Sequence, residues 1–227
     1  MLNDNLLSLY SSSLPGLSEL YSDLDRKEIF DYVGPFLLYC WEKEYLSARH
    51  RLMIIGQETY GWDADYVRSV DDVKRFMQSY KDFELGKNYN SLFWRYAHLI
   101  NEMINGEDGK NFVWNNVNKF GIDGAGRPDQ AVLDNENLHF NLLAREIGIL
   151  KPDVCIFLSG PTYDADLKEK LGDLRLEPFQ DYPLNEAARL RSRFLPEHSF
   201  RTYHPGYGNH YSEWYIDLLR KISNECI

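Results

Sequence analysis

Apolar and polar residues follow two rhythms along this chain. Short apolar runs that break off at polar clusters read as buried strands. Leu52 to Ile55 ends at Gly56 and meets Gln57-Glu58-Thr59-Tyr60, and Phe112-Val-Trp-Asn-Asn116 ends in two amides. Val154 to Leu158 ends at Ser159-Gly160-Pro161, and Phe200-Arg-Thr-Tyr-His-Pro205 ends in His-Pro. Between these runs, apolar residues recur at helical spacing. Val70 to Tyr80 opens with acidic residues, as the helix dipole favours. Ser91 is placed to cap a helix to Ile104 with a stripe at Leu92, Tyr96, Ile100 and Met103 or Ile104. One helix is predicted over Asp134 to Leu150, with its stripe at Leu138, Leu142, Ile147 and Leu150. Further helices are predicted at Tyr163 to Leu171 and Tyr211 to Glu225. Residues 1–50 read as helical, with Ser18 to Asp25 a short piece and Asp25 to Ala48 a longer one that Gly34-Pro35 interrupts. Arg189 to Leu195 and Ser199 to Tyr203 read as paired strands.

Strands alternating with helices imply an α/β fold. The specific expectation is a three-layer α/β/α sandwich around a mainly parallel four-stranded sheet, as one domain over 1–227 with residues 1–50 as a helical extension. In such sheets ligands bind at the carboxyl ends of the strands. A carboxylate, an amide and an imidazole at three strand ends therefore suggest one assembled site.

Composition narrows the choices. The chain has 227 residues, 44% hydrophobic and 15% aromatic, enough for a sizeable core. No apolar run approaches the roughly 20 residues that span a membrane. The N-terminus lacks a basic signal region, and three scattered cysteines (Cys40, Cys155, Cys226) fit a reducing compartment, so a cytoplasmic protein is expected. His50, His98, His139 and His198 lack metal-ligand spacing, and no metal or other cofactor is expected. A net charge of −10 weighs against a global electrostatic grip on nucleic acid. It leaves room for a local basic groove from Arg189, Arg191, Arg193 and Arg201, with Lys119 and Arg127. Neither GxGxxG nor GxxxxGK[ST] occurs.

The strand-end residues resemble those of the uracil-DNA glycosylase superfamily. Gly56-Gln-Glu-Thr-Tyr60 resembles the first motif, Gly-Gln-Asp-Pro-Tyr in one branch. Val113-Trp-Asn-Asn-Val-Asn-Lys119 resembles the strand-end Asn-x-x-Lys of the iron–sulfur branch. Leu150-Lys-Pro-Asp-Val-Cys-Ile-Phe-Leu-Ser-Gly160 resembles a later segment of that branch, and His204-Pro205-Gly206 resembles a His-Pro-Ser motif. The order fits across roughly residues 51–220. Departures are equally specific: Glu58 stands for Asp, Thr59 for Pro and Gly206 for Ser. Phe120 stands where a cluster cysteine is expected, so no iron–sulfur cluster is implied.

The resemblance implies hydrolysis of the N-glycosidic bond of uracil or a related damaged base in DNA, with single- or double-strand preference left open. Glu58 would orient water and stabilise the sugar cation, and His204 would donate to the leaving base. Asn116 would read the flipped base; Asn115 faces the other way because strand neighbours alternate. Gln57 would offer its backbone N–H, and Tyr60 would exclude a C5 methyl. Phe76, Phe83 or Tyr89 would stack on the base. Lys119, Arg127 and Tyr207 would contact DNA, Tyr207 as the nearest candidate for a wedge. Tyr203, Tyr207, His210, Tyr211 and Trp214 form an aromatic tail better suited to packing the last helix than to stacking bases. Two rivals stand beside this reading. One is a non-catalytic protein of the same fold that binds a base, a nucleotide or a protein. The other, weaker, is an α/β hydrolase, for which the Gly-x-Ser-x-Gly elbow is absent.

Overall fold

The computed structural model describes residues 1–62, 65–124, 126–208 and 212–226. It is an α/β structure with a mixed six-stranded sheet and, among the described residues, nine α-helices. The strands are β1 (Leu52–Gly56), β2 (Phe112–Asn116), β3 (Val154–Phe157), β4 (Arg175–Pro178), β5 (Ala187–Arg191) and β6 (His198–Thr202). Their order is β2-β1-β3-β6-β5-β4. The first four are mutually parallel; β5 and β4 extend the sheet antiparallel. The expected four-stranded sheet is thus the parallel part of a wider one.

β1 and β3 are wholly apolar, β2 is apolar up to its two terminal amides, and β6 mixes polar residues with Phe200. Every residue of β1, β2 and β3 is buried. β2 lies at the sheet edge, and α4 (Val70–Asp82) protects it. The Tyr80 hydroxyl donates to the Trp114 carbonyl at 2.8 Å and accepts from the Trp114 N–H at 2.9 Å. One side chain thus satisfies the backbone groups that a neighbouring strand would otherwise pair.

Helix boundaries follow local chemistry. Ser69 and Asp72 form a reciprocal capping box on α4. Ser91 caps α5 (Leu92–Asn105), which ends at Gly106 in the left-handed region. Its buried face keeps Ile100 and Ile104 of the expected stripe and adds Trp94 and Ala97, whereas Leu92 is exposed.

Three other expectations are corrected. Residues 27–41 form no helix; the N-terminal helices are α1 (Leu2–Ser12), α2 (Leu14–Arg26) and α3 (Glu42–Ser47). Val33, Phe36, Leu37, Leu38 and Cys40 are buried, and Phe30 exposed, in an irregular segment tied to the 119–121 loop, where Val33 and Gly121 pair and the Phe36 N–H donates to the Lys119 carbonyl at 2.7 Å. The helix expected over 134–150 is two, α6 (Gln130–His139) and α7 (Leu143–Leu150), so the supposed stripe residue Leu138 is 74% exposed. β4 was not expected. α8 (Asp164–Leu171) and α9 (Ser212–Cys226) lie where helices were predicted, though Tyr211 and His210 fall outside the described residues. No helix among the described residues is long and apolar enough to cross a membrane.

Candidate active site

The carboxyl ends of β1, β2, β3 and β6 open onto one cavity of about 1060 Å³. Chain order reverses between β1 and β3, the switch point where open α/β sheets form a crevice. Glu58 reaches the cavity from the loop after β1, Asn116 from the end of β2, and His204 from the loop after β6. Gln57, Tyr60, Phe83, Tyr89 and Arg127 also line it.

Glu58 is half-buried. The Tyr163 hydroxyl lies 2.6 and 2.8 Å from its two oxygens, and the Asn118 amide donates at 3.4 Å. Burial pushes its carboxyl above the usual range, and these hydrogen bonds and the nearby Arg127 charge only partly offset that. A carboxylate with a raised pKa is a stronger base toward a bound water.

His204 presents a defined tautomer. The Gly206 N–H donates to its Nδ1 at 3.1 Å, so the neutral ring carries its proton on Nε2. Burial lowers its pKa and favours that neutral form. The ring stacks on Phe93 with centroids 5.7 Å apart and planes 13° apart. Gly206, where the motif has serine, is close to the ring: an added Cβ would lie 3.2 Å from Nδ1.

Asn116 is 1% exposed. Its Oδ1 accepts from the Trp114 indole N–H at 3.1 Å, while its Nδ2 has no hydrogen-bond partner among the described residues. Buried donors are normally paired, so this group stands out among the residues that line the cavity. Gly56 allows the arrangement, since a Cβ there would sit 2.6 Å from Asn116 Oδ1 and 3.2 Å from the Phe93 ring.

Other expected residues lie elsewhere or act differently. Lys119 is 1% exposed, pairs with Glu146 at 2.6 Å and donates to Asn115 Oδ1 at 2.5 Å. It is walled off from any DNA strand. Phe76 is fully buried and lies off the cavity lining, leaving Phe83 and Tyr89 as the aromatic candidates that reach it. Tyr60 is 72% exposed, so it does not supply the buried wall expected against a C5 methyl. The Gln57 side chain donates to the Ser159 carbonyl at 2.8 Å. Arg127 lines the cavity but forms a two-pronged pair with Asp166, both bonds 2.6 Å. Tyr207 stacks on Tyr203 at 4.4 Å, outside the cavity lining.

The proposed basic groove is largely neutralised. Arg201 is buried against Asp164 at 2.8 Å, Arg191 pairs with Glu177, Arg193 with Asp173 and Arg189 with Glu225. Strand alternation could not reveal this, because the partners come from distant segments. Tyr163, Trp114, Phe93 and Trp62 are lining residues that the sequence reading missed. Tyr163 had a usable signal, its place just after the strand-end turn Ser159-Gly160-Pro161. The chain matches no protein-family model, and no curated protein matches it significantly.

Proposed function

We propose that the cavity binds a nucleobase and hydrolyses its N-glycosidic bond, with uracil or a related damaged base in DNA as substrate. One observation carries this reading: a carboxylate, a buried amide donor without a partner among the described residues and a histidine with its proton on Nε2 line one aromatic-walled cavity. Breaking the C1′–N bond leaves the electron pair on the base and positive charge on the sugar. Glu58 stabilises that cation and takes a proton from water as the water adds to C1′. His204 donates through Nε2–H to the base carbonyl on which negative charge grows, and Asn116 holds the base edge. The fold we attach to this reading is the three-layer α/β/α sandwich, with helices on both faces of the sheet.

The test is release of free base from a single-stranded oligonucleotide containing uracil. The native protein should release it, and His204→Ala should slow release by roughly 10²–10³-fold. Absence of release from every deaminated-base substrate would remove the catalytic assignment.

A second reading, a binder without turnover, is favoured by the charge distribution. Arg127, Arg189, Arg191, Arg193 and Arg201 each face a carboxylate, and Lys119 is buried. The groove these residues would form thus offers little unpaired positive charge to a phosphate backbone. Calorimetry separates the two readings, since a binder saturates with uracil or short DNA while base release stays at zero.

A further inference from the structure

A carboxamide offers two donors and an acceptor oxygen, so its orientation decides what it reads. At Asn116 the neighbouring indole decides it. Trp114 and Asn116 are two residues apart on β2 and therefore share a face. An indole N–H can only donate, so the amide oxygen must face Trp114 and the NH₂ must face away from it. Trp114 has little freedom to release the amide. The Tyr80 hydroxyl holds its backbone N–H and C=O, and its ring packs on Phe36 at 4.4 Å and Trp94 at 4.8 Å. Three donors then lie on residues that line the cavity: Asn116 Nδ2–H and Trp62 Nε1–H, both buried and without a partner among the described residues, and His204 Nε2–H. Glu58 in the same cavity opposes an anionic ligand, so neutral carbonyl groups are the acceptors that suit these donors.

We propose that Trp114 is a specificity-determining positioning residue. Its indole N–H locks the Asn116 carboxamide with the NH₂ toward the cavity, so the site accepts bases that present a ring carbonyl at that edge and rejects those that present an exocyclic amine. This rests on the reading of the cavity as a nucleobase site. Uracil carries a carbonyl where cytosine carries an amine. An amine set against the Asn116 NH₂ leaves two donors facing each other, both deprived of water.

Titration of the free bases tests the lock without requiring turnover. Native protein should bind uracil at least roughly 10²-fold more tightly than cytosine, as sites built around a buried hydrogen bond do. In Trp114→Phe the amide can rotate by half a turn. Uracil binding should weaken, and the preference over cytosine should fall below roughly 10-fold. A folded Trp114→Phe protein that keeps the full preference would overturn the lock and leave the nucleobase reading intact. Native protein that binds neither base would overturn the nucleobase reading itself. Should the Phe variant fail to fold, ¹⁵N spectra of the native protein serve. The Trp114 indole proton should stay protected from exchange before and after uracil binds, while the Asn116 amide protons shift; an indole proton exchanging at the free rate overturns the proposal.

Discussion

Asn115 and Asn116 are adjacent, identical in type and both buried, yet they face opposite environments. Asn115 points into a closed polar network. Its oxygen accepts from Lys119 at 2.5 Å and from the Asn116 backbone N–H at 2.7 Å, and its NH₂ donates to Glu146 at 3.0 Å. Glu146 also accepts from the Tyr10 hydroxyl at 2.8 Å, and that hydroxyl accepts from the Leu38 N–H at 3.0 Å. A second buried pair, Lys170 with Glu136 at 2.5 Å, adjoins it through the Lys119 N–H, which donates to Glu136 at 2.9 Å. Asn116 faces the cavity with a donor to spare. Saturation of hydrogen bonds, more than burial or residue type, separates the amide that holds the fold from the amide available to a ligand.

The strongest way to break this contrast is Lys119→Met. It leaves the Glu146 carboxylate buried without its cation, which typically costs about 3–5 kcal/mol. Urea unfolding should show a midpoint well below the native one at unchanged slope. A loss under about 1 kcal/mol would mean that the network is not the structural half of the pair.

Paired alanine substitutions sharpen it. Asn115→Ala leaves buried Glu146 and Lys119 groups unsatisfied and should cost about 1–3 kcal/mol. Asn116→Ala removes a donor with no partner among the described residues and leaves one donor, the Trp114 indole N–H, facing the space the side chain vacates. Its stability should stay within about 1 kcal/mol of native, while uracil binding is lost. Equal stability losses for the two variants would erase the distinction.

The legibility of these features follows the same physics. β1, β2 and β3 could be read because buried parallel strands are continuous or nearly continuous apolar runs, while β6, His-Ser-Phe-Arg-Thr, was marked by the His-Pro that follows it. The opposite facing of Asn115 and Asn116 could be read because strand side chains alternate. β4 could not, since Arg175-Leu-Glu-Pro178 alternates over only four residues and ends in a proline, which argues against a strand. Residues 27–41 imitated a helix because Ile29, Val33, Phe36 and Leu37 are spaced like one, whereas long-range pairing with the 119–121 loop dictates their conformation. The break between α6 and α7 falls at Phe140–Leu142 and carries no glycine or proline. Within the site, Glu58, Asn116 and His204 were visible at strand ends. Their partners Tyr163, Trp114 and Phe93 were not, because each acts through a contact that only the fold creates. Lys119 was misread for the same reason: its spacing from Asn116 marks it, but its partner Glu146 is 27 positions away in sequence.

The smallest effect belongs to Glu58, on the cavity side of the contrast. Its carboxyl is raised above the ordinary value of 4.5, chiefly by burial. The fold therefore favours its protonated form over its ionised one. The stabilising contribution of that preference is complete below the unfolded-state pKa and is lost as pH rises through the folded-state pKa. Ionising Glu58 in the folded protein therefore costs stability, as holding a group for chemistry can. Glu58→Gln removes that cost and keeps an oxygen that accepts from Tyr163. The variant should melt above the native protein at pH 7, where a gain of 1 kcal/mol moves Tm by about 2–4 °C in a chain of this size. The difference should shrink toward zero near pH 4, where both side chains are neutral, and base release should be lost at either pH. Thermal melts of the two proteins across pH 4–8 check the sign. A Glu58→Gln protein that melts below native at pH 7 would mean that the carboxylate stabilises the fold, placing Glu58 with Asn115 among the structural groups.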